Sequence, residues 1–311
     1  MMRVPAAASG PIAAALLAAA CAGPVTGRSA MRAAPAPCDG EPVFAAGAER
    51  ATLWVRNSSE FRAASVAIYR AARQALATGL QDPQWTAEPS QRGDLSTLPP
   101  ALVLDIDETV LDNSEPQAKM LLEGSCFGEF PERWDEWIAE RRAPAIPGAL
   151  EFIRAAREST DAEGRAVRVF YVTNRECGRR AGSDAPCPQQ DDTAANLEAI
   201  GLGSPTLADD LMLKAEQPEW GSEKLARRQA VARSYRIVLN VGDDLADFLP
   251  EVRRASVSDR DHARCARDDH WGSRWFVVPN PMYGSWLVAL GDGLDAALAA
   301  DPGVLAACPQ P

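Results

Sequence analysis

The chain has 311 residues, is 46% hydrophobic, and carries a formal charge of -11 with a pI near 4.8. That length and apolar content suffice for one large globular core or two small ones. The acidity argues against a nucleic-acid partner, because a phosphate backbone is held by clustered Lys and Arg, and two histidines, His262 and His270, leave no material for a multi-histidine centre.

Arg3 precedes "PIAAALLAAAC", an apolar run of the length of a secretory signal core and shorter than the roughly 20 residues of a spanning helix. Export is the expectation. The run ends in small residues before Cys21, which resembles a bacterial lipobox, so residues 1–21 read as a signal segment with Cys21 as the lipidated residue. Ordinary cleavage at an Ala-x-Ala site is the alternative. The first route anchors the chain to the outer membrane through lipid; the second leaves it in the periplasm. Residues 22–45 are rich in Ala, Pro and Gly without a sustained period, and a flexible tether is expected over 22–50, ahead of a folded domain at 51–311. Removing Cys21 from seven cysteines leaves six, an even number suited to an oxidising compartment. Of these, Cys177 and Cys187 flank "CGRRAGSDAPC" and are expected to pair.

From Ser58, a candidate N-cap, Phe61, Val66, Ile68, Tyr69 and Leu76 recur near helical spacing and predict an amphipathic helix packed on the body. Four β-rich runs follow, at 101–106, 167–172, 236–241 and 275–278, with helical patterns such as "GALEFIRAARE" and "DDTAANLEAIGL" between them. Strands alternating with helices, each strand continuously apolar, predict an α/β fold with a parallel sheet covered on both faces. His262 and His270 fall in a polar run and read as a solvated loop.

In open parallel sheets, ligands sit beyond the carboxyl ends of the strands. The first run ends in Asp105 and Asp107, the second in Thr173 and Asn174, the third in "GDDLAD" with Asp243, Asp244 and Asp247, and the fourth in "PNPMYG" with Asn280 and Tyr283. Carboxylates gathered so densely cannot all ionise unless a cation compensates or one of them holds a proton. Mg²⁺ suits them, since it takes oxygen ligands from one or two carboxylates, water and a substrate phosphate. A carboxylate there can also attack phosphorus, and its neighbour two residues on can serve as general acid and base.

These motifs resemble the haloacid dehalogenase superfamily of phosphatases. "LDIDETVLDNS", "WDEWIAERRAPAIPGALEF", "VFYVTNRE", "KLARRQA", "IVLNVGDDLADF" and "VPNPMYGSW", spread over roughly 98–286, are similar to the class C, lipoprotein e type of bacterial acid phosphatase. The resemblance implies a Rossmann-like fold, with a small helical cap at about 111–147 and the N-terminal helix alongside. It implies Asp105 as nucleophile and Asp107 as general acid and base. Mg²⁺ would be held by the Asp105 side chain, the Asp107 carbonyl and Asp243, with Asp247 supporting from outside. Thr173, with Asn174 beside it, would bind the phosphoryl oxygens, and Lys224 would supply the positive charge; Lys214 in "LMLKAEQ" is the rival for that last role. The pattern departs at Ala246, where an acid is common. Glu108 and Asp244 read as exposed acids.

Trp134 and Tyr283 match the positions where a nucleotide base lies between aromatic rings, while Trp137 and Trp286 read as core. The implied substrates are small phosphomonoesters, above all nucleoside 5′-monophosphates including nicotinamide mononucleotide. Two other readings stay open: a surface lipoprotein using the scaffold for binding alone, and a phosphotransferase that delivers the phosphoryl group to an alcohol. A homodimer is compatible with the sequence, which does not fix the oligomeric state.

Overall fold

Five short apolar runs form the sheet: β1 (Pro100–Leu104), β2 (Arg168–Glu176), β3 (Leu211–Lys214), β4 (Arg236–Gly242) and β5 (Trp275–Val277). All neighbouring strands are parallel, in the order β3-β2-β1-β4-β5. The computed structural model describes residues 48–125, 130–203, 210–291, 294–299 and 308; Cys21, Cys38, Cys126 and the tether before residue 48 lie outside them. Every residue of β1 and β4 is buried, as continuous apolar strands covered on two faces require.

The pleat sorts β1 into two cores. Leu102 and Leu104 meet Tyr69, Phe152 and Leu197, while Ala101 and Val103 meet Phe170, Phe248 and Trp275. The first core is covered by α2 (Ser59–Gln81), α5 (Ala149–Arg157) and α6 (Pro188–Ala199); α7 (Leu225–Ala232) contributes Val231 to the second. Between β1 and α5 lie α3 (Ser114–Glu123) and α4 (Phe130–Glu140), helical as expected for the region 111–147.

Several expectations need correction. The N-terminal helical region holds two helices, because α1 (Ala48–Asn57) precedes α2. Ser58 does cap α2, its hydroxyl accepting from Phe61 N at 3.0 Å. The buried stripe of α2 runs Phe61, Ser65, Tyr69, Ala72, Leu76, Leu80, at steps of three and four, and leaves Val66 and Ile68 half-buried. The strand β3 was not expected, since "LMLK" offers only three apolar residues before a lysine. The second predicted strand continues beyond residue 172 to Glu176, so Thr173 and Asn174 lie within β2, beside a register shift in its pairing with β3.

The histidines are not in a loop together. Ser256 caps α8 (Val257–Cys265), which carries His262, and His270 sits half-buried in a turn with its ring 4.5 Å from that of Trp275. Cys177 and Cys187 are bonded, as expected, and Cys265 is bonded to Cys308. The last described helices are α9 (Ser285–Val288) and α10 (Leu294–Ala299).

Helix α2 rests directly on β4 at Gly79, where an added Cβ would lie 2.7 Å from Val238 Cγ1 and 2.8 Å from the Trp85 indole. Helix propensity alone makes Gly79→Ala stabilising by about 1 kcal/mol, but forcing a methyl into a filled core costs about 1–3 kcal/mol. Packing wins here, because Trp85 is pinned through Nε1 to Val238 O at 3.0 Å. Gly79→Ala is therefore expected to lower the urea midpoint; a raised midpoint contradicts this packing.

Candidate active site

The sheet delivers its acids to one edge. Asp105 follows β1 directly and Asp243 follows β4, the strand beside it. Asp105 Oδ1 pairs with Lys224 Nζ, and the same ammonium lies 2.6 Å from Asp247 Oδ1; all three side chains are buried. Asp105, Asp243 and Asp247 place carboxylate oxygens within 4.8 Å of one another. Lys224 thus occupies the cationic position, while Lys214 pairs with Glu176 at the surface, at 2.6 Å.

Only Gly fits at 242, because a Cβ there would lie 2.3 Å from Asp247 Oδ2. That gap lets Asp247 fold back so that Oδ2 accepts from Asp243 N at 3.1 Å and Asp244 N at 3.0 Å. Both oxygens of Asp247 are then committed. Asp105 and Asp243 each keep one oxygen short of partners: Asp105 Oδ2 and Asp243 Oδ1 share the Thr109 hydroxyl at 3.5 and 3.4 Å, a single proton between them. Their other oxygens are held by Lys224 and, for Asp243 Oδ2, by Asn280 Nδ2 at 2.8 Å.

Three carboxylates against one ammonium leave a surplus of negative charge in a buried place. Burial raises Asp105 to about 6, Lys224 pulling it down and Asp247 and Asp107 pushing it up. Asp243 stands well above its ordinary value through burial and the charges of Asp247 and Asp105. Burial works against the charge on Lys224, but Asp105 and Asp247 outweigh it and hold the lysine above its ordinary value. An all-oxygen donor set with two under-coordinated carboxylate oxygens and surplus negative charge fits a hard divalent cation. Asp105 and Asp243 would hold it, with Asp247 behind them.

Asp107 faces a different set of groups. Arg175, 1% exposed, donates to Asp107 through Nη2 at 2.8 Å and Nε at 3.0 Å, and through Nη1 to Thr193 Oγ1 at 3.0 Å. Asn113 Nδ2 and Thr173 Oγ1 complete the carboxylate's partners at 3.0 and 3.2 Å. Thr173 is fully buried, and the Asn174 side chain is tied to Arg227 Nη2 at 2.7 Å and Ser222 O at 3.1 Å. Neither Arg175 nor Arg227 was picked out from the sequence. Arg175 carries a signal of parity, standing two residues after Thr173 in the same strand and so on the same face, whereas Arg227, on α7, carries none.

Two acids expected at the surface are not there. Glu108, with φ of 59°, is 2% exposed and accepts from Asn113 N at 2.8 Å; burial and then Asp107 raise it well above its ordinary value. Asp244 is largely covered and accepts from the Ser285 hydroxyl and amide and from Ala246 N. Burial raises Asp244, but those hydrogen bonds outweigh it and hold the carboxyl below its ordinary value.

Of the aromatic residues, Trp134 is half-buried and stacks on Phe130 at 5.7 Å between centroids. It lines a cleft of about 1120 Å³ that also reaches Asn174, Gly178 and Arg179. Tyr283 is not part of that lining; it packs against the main core, its hydroxyl buried without a partner. Trp137 is core as expected, its Nε1 donating to Asn113 Oδ1 at 2.7 Å. Trp286 is 36% exposed, contrary to expectation, because it lies on the short rim helix α9 with Nε1 bound to Tyr283 O.

The family model described as HAD superfamily, subfamily IIIB (Acid phosphatase), matches residues 48–286. The chain is also similar to the structure of a class C acid phosphatase from Bacillus anthracis and to the crystal structure of that enzyme with tungstate bound. Each is 30% identical, with a TM-score of 0.61, over 80% of this chain and 92% of the other.

The raised Asp105 has a consequence for stability. Its folded value of about 6 lies above the ordinary 3.8, so its contribution favours folding fully below about 3.8 and is lost as pH rises to about 6. With divalent cations chelated, Asp105→Asn is expected to gain in melting temperature relative to wild type as pH is raised from about 4 to about 6. A difference independent of pH contradicts the buried, like-charged setting described here.

Proposed function

The chain belongs to subfamily IIIB of the HAD superfamily, the acid phosphatases, and on that premise we propose that it is an exported, Mg²⁺-dependent phosphatase that carries the phosphoryl group on Asp105 before passing it to water. Membership makes it an enzyme, a phosphoric monoester hydrolase with a small phosphomonoester as substrate. The observation that carries the finer reading is the pair of under-coordinated oxygens on Asp105 and Asp243 beside Lys224.

Bound there, a divalent cation supplies charge neutralisation at the phosphoryl oxygens. The protein's own groups do the rest. Asp105 presents a carboxylate oxygen to phosphorus, and the P–O bond to the leaving group breaks as the acyl phosphate forms. Asp107 gives its proton to the departing oxygen, then takes one from the water that hydrolyses the acyl phosphate, returning Asp105 to a carboxylate. Lys224, already held by two carboxylates, offsets the negative charge brought in by the phosphate. Thr173 Oγ1 can turn its proton from Asp107 to a phosphoryl oxygen, and Asn174, braced by Arg227, retains one amide proton.

The cleft beside Asn174 supports nucleoside 5′-monophosphates, since about 1120 Å³ is room for a nucleoside and Trp134 offers a ring face to a base. Export rests on the apolar run before Cys21, with a lipid anchor at that cysteine; among the described residues no helix is long and apolar enough to cross a membrane.

Phosphate release from adenosine 5′-monophosphate tests the mechanism. Asp105→Asn is expected to lower kcat by about 10³-fold or more with the fold retained. EDTA is expected to abolish turnover and added Mg²⁺ to restore it. An active Asn variant, or full activity in EDTA, overturns the proposal. Trp134→Ala is expected to raise KM for the nucleotide about 10-fold, in line with the stacking of one base, and an unchanged KM removes the stacking role.

A further inference from the structure

The segment Cys177–Cys187 closes on itself through its disulfide and is tied to α4 through Arg180. Arg180 grips Asp135 of α4 with both arms of its guanidinium: Nε to Oδ2 at 2.5 Å and Nη2 to Oδ1 at 2.8 Å, with Nη2 also 3.2 Å from the Asp135 carbonyl. Its third nitrogen, Nη1, reaches Asp192 Oδ2 on α6. Asp192 is 2% exposed and takes a second guanidinium at 2.6 Å, that of Arg141 just beyond α4. Gln189 spans the same gap, donating to Asp135 Oδ1 at 2.9 Å and accepting from Gly178 N at 3.1 Å. Loop, α4 and α6 are therefore one cross-linked unit.

This unit borders the cleft. Gly178 and Arg180 line it from the loop, while Trp134, next to Asp135, and Phe130 line it from α4. We propose that the disulfide-closed loop is the specificity-determining wall of the leaving-group cleft, with Arg180 the positioning residue that fixes α4 at the width a large leaving group must fit. The inference rests on the reading that the leaving group lies in this cleft.

The physical reasons are local. The Arg180–Asp135 pair is partly exposed on both sides, and such pairs contribute little to global stability, so its two-armed contact serves geometry rather than folding. A two-armed Arg–carboxylate pair fixes orientation as well as distance, which a lysine cannot do. A wall fixed in advance spares a large leaving group the ordering cost of binding, whereas a small one does not reach it. Arg180's hydrogen bond, the leading cause, holds the Asp135 carboxyl below its ordinary value, which favours the charged pair.

The test compares kcat/KM for adenosine 5′-monophosphate with that for ethyl phosphate in Arg180→Ala, Asp135→Asn, the double variant and Cys177→Ser/Cys187→Ser. The ratio is expected to fall about 10-fold, one stacked base's worth of selectivity, in each single variant, with no further fall in the double variant because both remove one tie. Arg180→Lys is expected to recover part of the ratio, and the disulfide variant to lower it. Asp135→Asn approaches the tie from the other side if Arg180→Ala folds poorly. A ratio unchanged in Arg180→Ala and Asp135→Asn, or equal losses on both substrates, overturns the inference. Trp134→Ala separates the two readings: if it alone lowers the ratio, stacking stands and the wall fails, and if the Arg180 and Asp135 variants alone lower it, the wall stands and stacking fails.

Discussion

Three carboxylates gathered beyond two adjacent buried strands stand around one buried ammonium that pairs with two of them, and much of the surrounding architecture exists to make that arrangement tolerable. Lys224 is reached by Asp105 and Asp247 at once, so its desolvation is offset from two sides. Gly242 gives Asp247 room to accept two backbone amides, which removes one carboxylate from competition for a cation. Asn280 and Thr109 hold Asp243 from further strands and turns. What is left over, two incompletely satisfied oxygens facing each other across a hydroxyl, is a place for positive charge that the chain itself does not supply.

Behind that front stands a layer of buried guanidinium groups. Arg175, Arg227 and Arg228 are all at most 3% exposed in a chain that is acidic overall. Arg228 pairs with Glu88 at 2.9 Å and donates to the carbonyls of Asp247 and Phe248, fixing the turn after β4 from below. Arg227 donates to the carbonyls of Thr173 and Gly221 as well as to Asn174, so the turn before α7 and the end of β2 move together. Burial pushes Arg227 down to about 10, which leaves it charged at acidic and neutral pH. The field at the site is thus set by rigid, hydrogen-bonded groups rather than by mobile surface charge.

How much of this could be read in the sequence follows from what each residue type signals. Continuous apolar runs that stop at acids marked β1 and β4 and, with them, Asp105, Asp107 and Asp243, because a buried strand leaves its next residues at the sheet edge. Thr173 was legible for the same reason, although β2 runs past it. Lys224 and Lys214 could be ranked but not decided, since a lysine in sequence carries no mark of burial. The burial of Arg227 is hidden for that reason, because a buried guanidinium and a solvated one are spelled alike, and Arg175 is marked only by its strand parity with Thr173. Glu108 and Asp244 were misread because their burial comes from chain reversals, the left-handed turn at Glu108 and the packing of Ser285 on Asp244, which no local pattern encodes. The strand β3 is too short to show a period, and Trp286 reads as core in the sequence because aromatic type outweighs its place at a chain turn.

The reading stands or falls on whether the gap between Asp105 and Asp243 is a cation site facing a phosphoryl group. A crystal grown with Mn²⁺ and orthovanadate, measured at a wavelength where manganese scatters anomalously, addresses that directly. The account predicts one anomalous peak bridging oxygens of Asp105 and Asp243, with vanadium next to the Asp105 carboxylate and within reach of Lys224. Manganese bound elsewhere, or vanadium seated away from Asp105, contradicts it.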